Sequence, residues 1–578
     1  MKPNDFLSAN SRYQWMGAIC ALLTFSVLCI LHLSVTRETT TFEALAISMA
    51  GLILFFPLLK IVPAESRHGQ YHRAYTKTLL ALLATAATVT CVRYLTISRE
   101  AVGGVDWYYY LCYSRDMVNN HPVSENIYSY FPGVYAIWTS VMRIFGQELT
   151  ALQSFYQSAL IMVCLLTGWV VRQHTHCKVL TYFSIFWTFV LLTKFDGLTG
   201  VTESLAVIPW LLGLILWRGR PVNNTESLWV LILFGAAIGL TVFTKQQAGL
   251  LSLGFVYLLA EQRQKKSGLH SWKRLLLIPI TAIVTLVLAI LCMGNSLVWL
   301  TEGLKTAGQY GTEQSWILNL YTQVRHDESL WISTLITVIL FSRRGKWLKT
   351  ATATNVPSWR LAGFSLVAAL ATLLQFKARP YHHYMLLSIP AMVIACSLIY
   401  HHYRSWLQES TCKRIVIGAI VILPCIWCAP YNDSYHPLRL QISTPHQWDR
   451  QYSAMHHATI QSVIESLNTQ VPADSRMLIL PGRYNQIHYY SATLSDQETG
   501  YNFRTRQFAA SGDNWKKPLE QTSADYVLLL TGSIISKAEQ QNWTKQRLFE
   551  ANSILQKRGY TSVQDGLPQA RAKLFRKQ

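Results

Sequence analysis

The sequence predicts an α-helical polytopic membrane protein with about thirteen transmembrane helices and a small C-terminal α/β domain outside the cytoplasm. Three observations predict it. Hydrophobic residues make up 51% of the 578 and charged residues only 14%, against the roughly 25% charged that is usual in soluble domains. The apolar residues gather in long runs before residue 430, and ordinary mixed composition follows. The Lys and Arg behind the net charge of +21 cluster between those runs, as they do in the cytoplasmic loops of membrane proteins. A basic balance also marks nucleic-acid binders, but the chain carries no zinc finger, RNA-binding signature or basic region with heptads.

A spanning helix needs ~20 apolar residues, with ~17 tolerated. By that rule the spans fall near 14–36, 41–63, 77–97, 150–172, 178–195, 201–218, 226–243, 247–262, 274–297, 329–342, 359–377, 382–401 and 413–430. The run 131–146 is also apolar, but Pro132 and Gly133 interrupt it, and it reads as a helix lying along the membrane surface. The first run is too long for a signal-peptide core and is expected to stay as a helix. With the N-terminus cytoplasmic, the inner loops hold Arg67, Arg73 and Lys77; Arg172 and Lys178; and Arg218 and Arg220. They also hold Arg263, Lys265, Lys266, Lys273 and Arg274; Arg343, Arg344, Lys346 and Lys349; and Arg404, Lys413 and Arg414. One helix missed or invented would break that alternation, so charge supports both the topology and the count. An odd number of spans puts the C-terminal domain in the periplasm or outside the cell.

The expected organisation is two N-terminal helices (1–76), a helical core (77–430) and a soluble domain (431–578). The core carries long outer loops at 98–149 and 298–328. The soluble domain alternates helices expected at 456–468 and 534–557 with apolar strands at 477–481 and 526–530, the pattern of an α/β fold. It has no GxGxxG and no P-loop, so nothing in it points to a nucleotide. No cysteine follows Cys428, and the domain has no disulfide. Cys425 and Cys428 form a CxxC inside an expected span, where packing is the stronger reading. No internal repeat is visible, which weighs against a transporter.

An ionisable group at a membrane boundary is costly unless water or a partner satisfies it. The topology gathers an unusual set of such groups on the outer side. Asp106 follows the third span, in GGVDWYYYL; Asp196 ends the fifth, in KFDGLTG; Glu203 opens the sixth, in TESLAVIPW. Lys245 lies between the seventh and eighth, in FTKQQAGLL, and Arg379, His382 and His383 lie at the mouth of the twelfth, in KARPYHHYML. Each has a plain structural reading. Asp106 is also explained as a solvated loop acid, Lys245 as a lysine reaching headgroups, and Glu203 as an acid complementing a helix dipole. As a set, acids and cations on one membrane face suit a reaction on an anionic lipid. The run Tyr108–Tyr110 suits stacking on a sugar ring or plain packing equally well.

Four segments together resemble the GT-C superfamily of membrane glycosyltransferases. They are VDWYYYLCYSRD followed by YSYFPGVYAIWTSVMRIFG; VTESLAVIPWLLGLILW; GAAIGLTVFTKQQAGLL; and ARPYHHYMLLSIPAM. The pattern is closest to the protein O-mannosyltransferases and the lipid A aminoarabinose transferase, covers about 77–401, and keeps their order. The resemblance implies an enzyme of class EC 2.4. It would move a sugar from a polyprenyl-phosphate carrier to a glycan, lipid or protein acceptor on the outer face. It implies that Asp106 is the catalytic base, that Pro132, Tyr108 and Tyr109 shape the donor cleft, and that Lys245, Arg379, His382 and His383 hold the donor phosphate. Asp196 or Glu203 would complete an oxygen site with Asp106 for a divalent cation such as Mg or Mn. Two departures bear on that cation: Asp106 is followed by Trp107 rather than a second acid, and Pro132 follows Phe131 rather than another proline. The expected location is a bacterial inner membrane. A flippase for lipid-linked glycans and a diphosphate-dependent oligosaccharide ligase are the competing readings.

Overall fold

The computed structural model describes residues 105–121, 131–147, 149–194, 200–219, 228–264, 269–293, 298–301, 315–326, 328–342, 356–377, 382–408, 455–473, 475–480, 494–495, 516–530, 545–563 and 572–578. The expected spans at 14–36, 41–63, 77–97 and 413–430 lie outside these residues. The chain falls into two compact units, one within 154–445 and the other formed from 100–153 together with 446–578.

Water is absent from the bilayer interior, so a backbone crossing it must satisfy its own N–H and C=O groups, and apolar runs become helices. The second unit opens with α1 (Val105–Val118) and α2 (Gly133–Phe145). The first unit holds most of α3 (Leu149–Thr175), then α4 (Lys178–Lys194), α5 (Thr202–Trp217) and α6 (Leu228–Thr244). A 3-10 segment, Gln246–Gly254, leads into α7 (Phe255–Gln264), followed by α8 (Leu269–Leu275) and α9 (Leu277–Leu291). Next come α10 (Trp316–His326), α11 (Glu328–Ser342) and α12 (Val356–Thr372), which tightens into a 3-10 end at Leu373–Lys377. The turn His382–Tyr384 then opens α13 (Met385–Gln408). Each expected span between 150 and 401 is helical over most of its described residues. Among the described residues, Trp272–Leu291, Pro357–Lys377 and Met385–Tyr403 are each long and apolar enough to cross a membrane, while Thr202–Trp217, Leu228–Thr244 and Leu330–Ser342 are shorter apolar helices.

Packing within the first unit follows the membrane rule that small residues let backbones approach closely. A Cβ on Gly239 of α6 would lie 2.5 Å from the Ala282 carbonyl oxygen of α9, and one on Gly235 would lie 2.5 Å from the Ile278 carbonyl oxygen. On its other side α6 meets α5 and α12 through rings. Trp217 stacks on Phe234 at 5.1 Å, and both contact Phe364. Hydroxyls join further helices: Ser184 pairs with Ser397 at 2.9 Å between α4 and α13, and Thr337 with Cys396 at 3.0 Å between α11 and α13. At the other end of the bundle from Lys245, by the expected topology, Arg360 of α12 grips both carboxylate oxygens of Glu261 on α7 at 2.7 and 2.8 Å. It also donates to the Gly219 carbonyl at 2.8 Å. That planar fork satisfies three acceptors at once.

The expected outer loop 298–328 contains α10, which docks on the 3-10 end of α12. Asn319, fully buried, donates to the Phe376 carbonyl at 2.8 Å, and the Trp316 indole donates to the Leu373 carbonyl at 3.3 Å.

The C-terminal part of the second unit is an α/β domain, with α14 (Met455–Gln470), α15 (Lys516–Gln521) and α16 (Lys545–Lys557) around one sheet. Its strands are β1 (Arg476–Leu480), β2 (Leu494–Ser495), β3 (Tyr526–Leu530), β4 (Tyr560–Val563) and β5 (Ala572–Lys577), in the order β2-β1-β3-β5-β4. β1 runs parallel to β2 and β3, whereas β5 pairs antiparallel with β3 and β4. Every residue of β3, YVLLL, is buried, as a central strand covered on both faces requires. The expected strands at 477–481 and 526–530 and the helix at 456–468 are present. The expected helix at 534–557 is described from Lys545 onward.

If the close α6–α9 approach holds the first unit together, Gly239→Val forces the backbones apart at a cost of ~1–3 kcal/mol. The expected result is a lowered thermal midpoint for the purified protein in detergent. Leu240→Val, at an exposed neighbouring position, leaves the midpoint unchanged.

Candidate functional site

The helix α6 ends because Lys245 is extended, with φ −150 and ψ 117. Its amide still donates to the Thr241 carbonyl at 3.1 Å, and its own carbonyl accepts from Ala248 at 2.9 Å. The nine-residue 3-10 segment that follows is long for a helix type that seldom exceeds three or four residues, and such stretches mark strain or function. This break sets a lysine side chain inside the first unit, where it is 7% exposed.

Lys245 Nζ lies 3.0 Å from Glu203 Oε1, and the Glu203 side chain is 1% exposed. Glu203 stands in the first turn of α5, flanked by the buried Thr202 and Ser204. The start of α5 is tied down by Tyr156 of α3, whose hydroxyl donates to the Val201 carbonyl at 3.0 Å. His383, half-buried in the turn before α13, interacts electrostatically with the same carboxylate. The structure thus gathers Glu203, Lys245 and His383 from three separate helix ends. Sequence reasoning placed all three on the outer side but did not pair them, and it missed Tyr156. A tyrosine one turn into a span gave no signal by itself.

Removing one member of a buried ion pair strands the other charge at a cost of ~3–5 kcal/mol. The pair also bears on metal binding. A carboxylate already matched to an ammonium is a poor ligand for a second cation, because the two cations repel at short range. Among the described residues, no group of three or more His, Cys, Asp and Glu side chains could hold a metal ion.

In the second unit, Asp106 is the second residue of α1, and its side chain lies outside the described residues. The same holds for the side chain of His382, and Asp196 and Arg379 lie wholly outside them. Pro132 is buried and sits just before α2 with φ −73, where a proline's fixed φ suits a helix start and its missing N–H costs nothing. Within the run 131–146, Gly133–Phe145 is the helix α2. It buries Val134, Tyr135, Trp138, Val141 and Met142 on one face and leaves Ile144 and Phe145 exposed.

Tyr108 and Tyr109 are 2% and 5% exposed, and their rings belong to an aromatic cluster that joins α1 to α2. Tyr109 meets Tyr113 edge-on at 4.6 Å, Tyr110 and Tyr113 both contact Tyr135, and Trp107 contacts Trp138. In this structure the tyrosine run packs the helix on which Asp106 stands. The same helix carries a buried pair that the sequence reading did not single out: Arg115 donates to Asp116 Oδ1 at 3.1 Å, with the two side chains 7% and 8% exposed. The cluster also sets local chemistry. Burial, then the neighbouring Tyr113 and Tyr135, holds the Tyr109 hydroxyl well above the usual phenol range. Burial pushes the Cys112 thiol up to about 12, although Arg115 partly opposes the rise.

No protein-family profile matches the sequence, and no curated protein matches it at the sequence level. Structure does find relatives. The helical frame has the fold of ArnT, a GT-C membrane glycosyltransferase, and three of its described helices are long and apolar enough to cross a membrane. ArnT from Cupriavidus metallidurans in the apo state superposes with a TM-score of 0.54 at 11% identity, covering 86% of this chain and 98% of that one. The same enzyme bound to undecaprenyl phosphate gives 0.51 at 10% identity over 86% and 97%. The archaeal oligosaccharyltransferase AglB from Archaeoglobus fulgidus, at a TM-score of 0.43 and 12% identity over 77% and 69%, is too distant to argue from.

A thiol held near 12 is almost wholly protonated at pH 8, and the thiolate is the reactive form. Cys112 is therefore expected to stay unmodified when the folded protein meets iodoacetamide at pH 8, and to react fully once denatured. Peptide mapping by mass spectrometry reads both states.

Proposed function

We propose that the protein is a glycosyltransferase that moves a sugar from a polyprenyl-monophosphate carrier to an acceptor on the outer membrane face. The observation that carries this reading is the buried Lys245 at the break after α6, on a helical frame like that of ArnT, which was solved with undecaprenyl phosphate bound. A lysine is a point charge suited to phosphate. Inside a low-dielectric site it offsets the charge that builds on the leaving phosphate far better than it would in water. Arg379, His382 and His383, which precede α13 in the sequence, add further donors. Asp106 is the base: an acceptor hydroxyl has a pKa far above neutral, so a carboxylate takes its proton as attack proceeds. One displacement at the anomeric carbon, with the phosphate leaving opposite the incoming oxygen, inverts the configuration there.

The topology reading completes the picture. The N-terminus is cytoplasmic, the membrane is a bacterial inner membrane, and the α/β domain is periplasmic, where it helps to select the acceptor. The packed aromatic face between α1 and α2 gives Asp106 a rigid mount, and the docked α10 covers the outer end of α12. The acceptor is a glycolipid, a polysaccharide or a protein.

Purified protein in nanodiscs, given a panel of polyprenyl-monophosphate sugars, is expected to release or transfer the sugar from one of them. Asp106→Asn is expected to lower turnover at least ~100-fold, the usual scale of a general base, while still binding the carrier. Turnover only with a diphosphate carrier would favour an oligosaccharide ligase. Movement of lipid-linked sugar across the bilayer without any transfer would favour a flippase.

A further inference from the structure

Glu203 has a chemical task that a helix-end acid does not need. It is buried, it faces an ammonium at 3.0 Å, and it stands where three helix ends meet. Neither of its carboxylate oxygens, the Lys245-facing Oε1 included, has a hydrogen-bond partner among the described residues, and neither has the neighbouring Thr202 hydroxyl. Buried polar atoms are nearly always paired, so such gaps call for an explanation. The contrast with the Arg360–Glu261 pair of this unit is direct, since Arg360 engages both oxygens of Glu261 and a carbonyl besides. The Glu261 clamp is complete, whereas the Glu203 centre keeps unfilled polar groups beside a cation.

Two physical problems attend a lysine that must receive a phosphate inside a protein. Its long side chain carries rotamer entropy that the ligand would otherwise have to remove. Burial also drives an ammonium to give up its proton unless an anion stands near. One carboxylate at 3.0 Å solves both. It fixes the head group and keeps it charged. Because an ammonium has three donors, it can keep one on the carboxylate while another turns to a phosphate oxygen.

We infer that Glu203 is a positioning residue for the donor site, holding Lys245 in place and charged for the phosphate of the lipid carrier. The inference rests on the phosphate role proposed for Lys245. It assigns the acid at the start of α5 to the lysine and not to a metal ion. Glu203 acts only through Lys245, so its effect vanishes when the lysine is gone. A purely structural acid has no such dependence. An acid that merely competes with the phosphate for the ammonium has the opposite sign, since its removal tightens binding.

The test is equilibrium binding of undecaprenyl phosphate to the full-length protein in nanodiscs, with thermal midpoints recorded in parallel. K245Q is expected to weaken binding at least ~10-fold, and E203Q about 10-fold, the equivalent of ~1.4 kcal/mol. The double variant E203Q/K245Q is expected to bind no worse than K245Q alone, the non-additivity of residues that act as a unit. E203D, which keeps the charge on a shorter arm, recovers part of the loss. Wild-type affinity or tighter binding in E203Q overturns the inference, and so do losses that multiply in the double variant. Wild-type affinity in K245Q instead overturns the phosphate role of the lysine, and this inference with it. Should E203Q fail to fold, E203D decides. It must weaken binding beside Lys245 and leave affinity unchanged in the K245Q background.

Discussion

A chain inside hydrocarbon cannot leave backbone groups or charges unmatched, and the first unit is organised by where it meets that demand and where it departs from it. Through α3 to α6 and α9 to α13 the demand is met by helical ladders and apolar contact. Glycines bring α6 onto α9, and stacked rings bring α6 onto α5 and α12. At Lys245 the ladder of α6 stops, the backbone turns extended, and a charged side chain enters the interior. That departure persists because a carboxylate from the neighbouring helix end answers the charge.

Two ion pairs among the described residues of this unit use the same chemistry to different ends. Arg360 and Glu261 form a closed arrangement that also satisfies the turn at Gly219. A Cβ at Gly219, whose φ is +61, would run into the Pro357 carbonyl, so the turn has room for no side chain. This is a fastening between α5, α7 and α12. The Glu203–Lys245 centre is open by comparison, and it lies at a helix break rather than across continuous helices. Completeness of hydrogen bonding separates a fastening from a site more clearly than burial or distance does.

Much of this frame is legible in the amino-acid order. Each run between 150 and 401 reads as helix because length and apolarity leave few alternatives in a bilayer, and Lys245 stands out because it interrupts two such runs. Pro132 marks the start of α2 by its fixed φ, and YVLLL marks a covered strand. The antiparallel edge of the sheet, β4 and β5, was not foreseen, since YTSV and AKLFRK lack a strong apolar run. Partners are harder to read than elements. Nothing in TESLAVIPW says that its glutamate meets a lysine 42 positions later, because that pairing is made by the packing of α5 on α6. Tyr108 and Tyr109 illustrate the same limit. A tyrosine offers a ring to a sugar or to another ring; here Tyr108 meets Trp107 and Tyr109 meets Tyr113, and those two partners in turn meet Trp138 and Tyr135 of α2.

Whether Lys245 seats a lipid phosphate is tested most directly by a cryo-electron microscopy structure of the protein in nanodiscs with undecaprenyl phosphate. Phosphate density is expected within hydrogen-bonding distance of Lys245 Nζ, at about 3 Å, with Glu203 still beside the ammonium. Phosphate density held elsewhere, with the Glu203–Lys245 pair undisturbed and closed to the lipid, would contradict it.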